Sequence, residues 1–166
     1  MKIVKNVRPP TGLTRFLYRI PVYAYRAHVG WVFGERILLL HHLGRVSGKP
    51  RLAVLEVAEH DCASDSFVVA SGWGPRAAWY QNVLHTPDVT IDVGRRTIPV
   101  TAVALDTDEG ADIFARYAMR HRVLAKQALP RVMGFSVDGS EADFREAGRH
   151  LPFVRFVPRC GDSPTR

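Results

Sequence analysis

Short apolar runs divided by turn chemistry constrain this chain more than any other feature. They fall at residues 37–40, 52–57, 67–70, 89–93 and 98–105, and a further run at 151–157 returns near the end. Gly94, Arg95 and Arg96 separate two of these runs as a hairpin turn would. Strands at this spacing, mostly without a helix between them, predict a mainly antiparallel β-barrel with added helices. A doubly wound parallel sheet would need a helix after nearly every strand.

Helical signals interrupt the strands in a few places. Leu13, Phe16, Leu17 and Ile20 recur at helical spacing, with Arg15 and Arg19 off the stripe and Pro21 at its end. With Tyr23, Tyr25, Trp31 and Phe33 they predict an N-terminal helical segment over 1–35. Residues 75–84 read as a helix opened by Pro75 and ended by Thr86 and Pro87. Asp106 with Glu109 resembles a capping box for a helix carrying Ile113, Phe114 and Tyr117. A third helix is expected over 120–133, with Pro130 near its end, and residues 160–166 form a tail. No repeat or linker divides residues 1–166, so one domain is expected, long enough to bury a core.

Lys and Arg outnumber Asp and Glu by 23 to 16, a formal net charge of +7 that favours anionic partners. It does not select nucleic acid, since no basic face interleaved with aromatics and no nucleic-acid motif is present, and none is expected to bind. Two cysteines, Cys62 and Cys160, form no C-x-x-C pair, which argues against a zinc site or a disulfide framework. No leader pattern and no apolar run of about 18 residues is visible. A reduced cytoplasmic setting is therefore expected. Basic residues flanking apolar ones over 13–33 leave peripheral membrane contact open, and the same aromatic segment could seat a second copy in a homodimer.

Two stretches carry the chemistry. Gly44, Arg45, Val46, Ser47, Gly48, Lys49, Pro50 and Arg51 place three cations and a hydroxyl at a turn between apolar runs. Arginine forks onto phosphate or carboxylate oxygens, lysine acts as a point charge, and glycine lets backbone approach a ligand. A solvated basic hairpin has the same composition. The stretch is no Walker loop, because only three residues separate its glycines and Pro50 follows Lys49. The second stretch is Ala70, Ser71, Gly72, Trp73, Gly74 and Pro75, running into Trp79, Tyr80, Gln81 and Asn82. Free amides at a helix start would seat an anion there. Trp79 with Val83 and Tyr80 with Leu84 are also i, i+4 pairs, so helix packing and ring contact are both open. His41 and His42 adjoin the basic turn, but neighbouring strand residues face opposite sides, so no metal site is expected. With no nucleophile elbow and no H-E-x-x-H, any reaction is expected to be carried by a cofactor.

Gly-Arg-x-Ser-Gly-x-Pro-Arg, followed about twenty residues later by Ala-Ser, a glycine-rich turn and Trp-Tyr-x-Asn, resembles the deazaflavin-dependent nitroreductase and F420H2-dependent quinone reductase family. The resemblance runs from roughly residue 36 to residue 103. It implies a split β-barrel that binds coenzyme F420 and reduces quinones, nitro compounds or activated alkenes. By position it implies that Arg45, Val46, Ser47, Arg51, Leu52, Ala53 and Val54 border the cofactor's anionic tail, with Lys49 as a helper. It likewise implies that Val69, Ala70, Ser71, Gly72, Ala78, Trp79, Tyr80, Gln81 and Asn82 line the deazaflavin. This chain has Gly72 where some members carry lysine, and Tyr117 alone near a region that is tyrosine-rich in nitroreducing members.

The sequence thus predicts hydride transfer from reduced F420 to an electron-poor small molecule: a quinone, an enone or a nitro compound. Tyr80, Tyr117 and His121 are its candidate proton donors, chosen as hydroxylic or ionisable groups near the inferred pocket. An FMN-binding split-barrel reductase and a non-catalytic F420 carrier are the alternatives.

Overall fold

Strict alternation of inward and outward side chains builds the sheet. The computed structural model describes residues 2–3, 34–121, 135–136 and 139–159. The strands are β1 (Lys2–Ile3), β2 (Ile37–Leu43), β3 (Pro50–Asp61), β4 (Ser66–Ala70), β5 (Asp88–Val93), β6 (Arg96–Ala104), β7 (Phe135–Ser136) and β8 (Phe153–Pro158). The helices are α1 (Ala78–His85), α2 (Thr107–Arg120) and α3 (Glu141–Gly148). Six strands close a barrel in the order β2-β3-β4-β8-β6-β5, every neighbouring pair antiparallel, and β5 returns to β2. The predicted antiparallel barrel is what forms.

The inward residues make one core. Leu38 and Leu40 of β2, Leu55 of β3, Phe67 and Val69 of β4, Ile91 and Val93 of β5, Val100 of β6, and Val154 and Phe156 of β8 are buried together. Trp79 and Val83 of α1 join this cluster, so α1 covers one end of the barrel. The outward residues Val68 and Phe153 instead meet Ile113, Phe114 and Ala118 of α2 and Phe144 and Ala147 of α3. Removing these side chains from water, at about 25 cal/mol per Å² of apolar surface, is what drives both layers together.

One irregularity changes the pattern. Val57 pairs with Val69 but Glu59 pairs with Val68, leaving Ala58 as an extra residue in β3. The bulge puts Ala58 and Glu59 on the outer face in succession. Glu59 then accepts from Arg116 of α2 at 2.7 Å. His60 is carried back toward the core and stacks on Phe67 at 4.1 Å.

Several helix ends differ from the sequence reading. Pro75 opens a single 3-10 turn, Gly74–Arg76, and α1 starts only at Ala78. Asp106 caps α2 by accepting from the Asp108 amide at 2.8 Å, as expected, but Glu109 pairs with Arg155 at 2.9 Å. Helix α3 has no counterpart in the sequence reading, although Ser140 accepts from the Asp143 amide at 3.2 Å as a regular N-cap. Of the predicted helical segment 1–35, Lys2–Ile3 forms a strand on β7, and residues 34–35 lie in a turn. Residues 4–33, most of the expected third helix and the 160–166 tail lie outside the described residues. No helix among the described residues is long and apolar enough to cross a membrane.

Candidate functional site

The basic stretch is the connection between β2 and β3. Gly48 donates to the Gly44 carbonyl at 2.7 Å and Gly44 to the Lys49 carbonyl at 2.9 Å. Gly48 sits at φ +63, the left-handed region that glycine enters without a Cβ penalty. Ser47 Oγ accepts from the Lys49 amide at 3.3 Å. Arg45, Lys49 and Arg51 are exposed, and Val46 is 92% exposed at the tip.

This bend meets α1 directly. Asn82 Oδ1 accepts from the Arg45 amide at 3.1 Å and from Arg45 Nη1 at 3.3 Å. Asn82 Nδ2 lies 3.0 Å from His42 Nδ1. Asn82 and His42 are 4% and 7% exposed. Burial, with smaller contributions from the nearby Arg51 and His41 charges, holds the His42 imidazole below its ordinary range. His41 faces the other way, 2.6 Å from Asp92. The two histidines part as strand alternation requires.

The glycine-rich turn is locked from within. Buried Ser71 donates through Oγ to the Gly74 carbonyl at 2.7 Å, and its amide donates to the Pro152 carbonyl at 2.8 Å. The Gly74 amide donates to the Ser71 carbonyl at 2.8 Å. The expected anion seat at Gly72 and Gly74 is thus displaced: α1 starts four residues beyond Gly74, whose amide already has a partner. Trp79 is buried, with Tyr80 edge-on to it at 5.9 Å. Gln81 Nε2 donates back to the Pro75 carbonyl at 3.2 Å.

On the outer face a cavity of about 180 Å³ lies between β3, the turn and α2, lined by Glu56, Ala58, Ala70, Gly72, Phe114 and Tyr117. Tyr117 Oη donates to Glu56 Oε1 at 2.5 Å. Burial first, and then this bond, push the Tyr117 phenol well above its ordinary value. The His121 ring lies 5.0 Å from the Tyr117 ring.

The structure therefore joins Arg45 to Asn82, and Ala70 and Gly72 to Tyr117. It separates Tyr80, packed on the barrel core, from Tyr117 and His121, which belong to the helical layer. Leu52, Ala53 and Val54 follow the bend along β3, with Ala53 packed inward. Val69 is buried in the core, and Ala78 is exposed at the start of α1. Sequence reasoning missed His42 and Glu56. A polar residue alternating with Leu55 and Val57 was the signal for Glu56, and inward parity with Leu38 and Leu40 was the signal for His42. No group of three His, Cys, Asp or Glu that could hold a metal occurs among the described residues.

Known proteins share this architecture and sequence. A solved structure of an F420-H2 dependent reductase (FDR-A) superposes with a TM-score of 0.50 at 21% identity, covering 74% of this chain and 95% of that one. A protein of unknown function, Atu2129 from Agrobacterium tumefaciens str. C58, gives 0.52 at 17% identity over 91% of this chain and 59% of that one. At such identities the likeness is one of fold. The F420H(2)-dependent quinone reductase Rv1261c of Mycobacterium tuberculosis (strain ATCC 25618 / H37Rv) is 37% identical over 93 residues, 52% of this chain and 61% of that protein. This chain spans 61% to 66% of the length of the curated relatives it matches. The signature of the F420H(2)-dependent quinone reductases matches residues 17–127, more than half of the sequence. The chain belongs to the F420H(2)-dependent quinone reductase family.

Proposed function

We propose that this protein binds coenzyme F420 and uses its reduced form to reduce a quinone, with residues 1–166 acting as one split-barrel domain. The observation that carries the reading is uncompensated charge. Among the described residues Arg45, Lys49 and Arg51 meet no carboxylate within 4.0 Å and share one bend; Arg36, Arg76 and Arg120 also meet none but sit on separate elements, and Arg96, Arg116, Arg145, Arg149, Arg155 and Arg159 are each paired. Three cations without a carboxylate partner on one bend suit the phosphate and carboxylates of the F420 tail, so the donor set fits the group.

When bound, reduced F420 supplies the hydride. The chain's own work is to bind, orient and shield. Arg45, Lys49 and Arg51 hold the anionic tail, with Ser47 adding a hydroxyl. The backbone of 69–72 and the side of α1 at 78–82 border the ring. Buried Trp79 and the barrel core beneath keep water from that side. Tyr117 holds its proton at Oη, on Glu56, at the wall of the outer cavity. Quinones lead among the acceptors because of family membership; enones and nitro compounds are tested in the same assay.

The test is fluorescence titration of the purified protein with F420, on wild type and on Arg45→Ala with Arg51→Ala. Losing two charge-assisted contacts is expected to weaken binding by roughly 10- to 1000-fold while the fold is kept. Failure of wild type to bind at micromolar F420, or unchanged affinity in the double variant, overturns the reading. A yellow protein releasing FMN on heating would assign the barrel to that flavin. Tight F420 binding without oxidation of reduced F420 by menadione would make it a carrier.

A further inference from the structure

The family resemblance implies that Asn82 lines the cofactor, but both ends of its side chain are engaged inside the protein. Oδ1 accepts from the Arg45 amide and from Arg45 Nη1, at 3.1 and 3.3 Å. An amide N–H and a guanidinium only donate, so the atom facing them must be oxygen. The nitrogen then faces His42 Nδ1 at 3.0 Å and donates to it. His42 Nδ1 must accept, so the imidazole is neutral and carries its proton on Nε2. Only one arrangement of protons satisfies the row. If His42 gains a proton at Nδ1, two donors confront each other at Asn82. Turning the amide over repairs that contact and puts two donors together at Arg45 instead.

We propose that Asn82 and His42 are positioning residues that set the Arg45 bend against α1, and that they hold it only while His42 is neutral. The proposal rests on the F420 reading for its ligand, though not for its geometry. Burial is the largest influence on His42 and disfavours its charged form, the Leu43 backbone opposes it, and the remaining neighbours side with burial. Arg51 is its register partner on β3 and His41 its neighbour on β2. The adjoining cavity of about 210 Å³ is also lined by Asp88, Thr90 and Arg159. Asp88, its one carboxylate, accepts from Thr101 Oγ1 at 2.8 Å and lies 3.5 Å from Arg159. Asp92, which pairs with Leu39 further along β2, is engaged by His41 at 2.6 Å. A proton arriving on His42 Nδ1 therefore meets the nearby Arg51 charge and an Asn82 amide that can only donate to it, with the Leu43 backbone alone favouring the charged ring, so the bend is released as pH falls. Arg45, freed from Asn82, then loses the orientation that aims it at an anion.

Asn82→Asp inverts this logic. A carboxylate still accepts from Arg45, and it accepts from His42 only when His42 is protonated. NMR titration of the free protein between pH 5 and 8 reads the geometry. In wild type the His42 ring should titrate below its ordinary 6.5, and the Arg45 amide resonance should shift with the same midpoint. In Asn82→Asp the midpoint should rise by roughly one unit or more, as beside any new carboxylate. Fluorescence titration with F420 reads the consequence. The ligand's own ionisation is common to both proteins and cancels in the ratio of their affinities. That ratio should move in favour of Asn82→Asp by about tenfold from pH 8 to pH 5, the worth of one hydrogen bond to a charged group. His42→Gln, whose amide oxygen accepts from Asn82 at any pH, should abolish the pH-dependent shift of Arg45. An Arg45 amide that ignores the His42 titration in wild type overturns the proposal, even if Asn82→Asp fails to fold. So does an affinity ratio flat across pH. Wild type that binds no F420 at any pH ends the F420 reading instead, and leaves the NMR result to decide the latch.

Discussion

Gly110 sits in the first turn of α2, where any other residue except proline would favour the helix, and its replacement by alanine is expected to destabilise the protein. Helix propensity alone gives Gly→Ala about 1 kcal/mol of stabilisation. Against this, a Cβ at position 110 would lie 2.5 Å from Phe153 Cδ2, 3.0 Å from Cγ and 3.2 Å from Cε2. The ring cannot swing aside, because Phe153 is 2% exposed and packs on Phe114 at 6.2 Å between ring centres. Overpacking a core of this kind costs about 1–3 kcal/mol, and a fixed ring puts the cost near the top of that range. The net expectation is a loss of about 1–2 kcal/mol, or roughly 2–8 °C in Tm for a chain of this length. Phe153 pairs with Ala70 across β4 and β8, so the displacement also reaches the cavity wall. Urea denaturation and thermal melts of Gly110→Ala, Phe153→Leu and the double variant form the assay. Removing the ring edge should relieve the clash, so the double variant should be more stable than additivity predicts by at least about 0.5 kcal/mol. A single variant as stable as wild type, or strict additivity, would refute the reasoning.

Three further expectations are independent of that one. Tyr117→Phe removes the donor to Glu56 and should cost about 1 kcal/mol in a urea melt. Because the folded phenol titrates above its unfolded value of about 10, its contribution is intact below that pH and lost as pH rises through it. An alkaline absorbance titration near 295 nm should show Tyr117 resisting ionisation until the protein unfolds, and early ionisation would count against the burial argument. Asp65 is held below the usual carboxylate range chiefly by Arg96, which donates at 2.7 and 3.2 Å, with His60 at 3.0 Å assisting. That contribution is present above about pH 4 and fades as pH falls through the lowered value, so the acid limb of the stability curve should flatten in Asp65→Asn. Asp65 also stands at φ +52, so Asp65→Asn is the fair comparison, since asparagine tolerates that region and alanine would add strain of about 1 kcal/mol.

The barrel was legible because its strands are short, β-branched and half-buried, which is a local signal repeated six times. The hairpin bend was legible from two glycines and a proline that permit little else. What escaped depended on partners distant in sequence. Helix α3 carries Ser140 as its cap, but its apolar positions, Phe144 and Ala147, are few and acquire meaning only against Ala111 and Phe114 of α2. The helix start at Pro75 moved to Ala78 because the Ser71 hydroxyl and carbonyl hold Gly74 in a turn of its own. Asn82 was read as bordering the deazaflavin, and its buried contacts with Arg45 and His42 escaped that reading because both partners are distant in sequence.

The unpaired Ala58 divides β3 into two lengths with separate allegiances. Up to Glu56 the strand pairs with β2 and presents the cationic hairpin. From Val57 it pairs with β4, and beyond the bulge Glu59 presents an acid to α2. Substitution on either side can thus retune one surface while the other stays in phase. A change of chain length by one residue cannot, because it would exchange the charged side chain facing the helix for the imidazole now resting on Phe67. In comparing relatives, the count of residues between the hairpin and the next turn will therefore say more about what their cavities offer than the identity of any one of those residues.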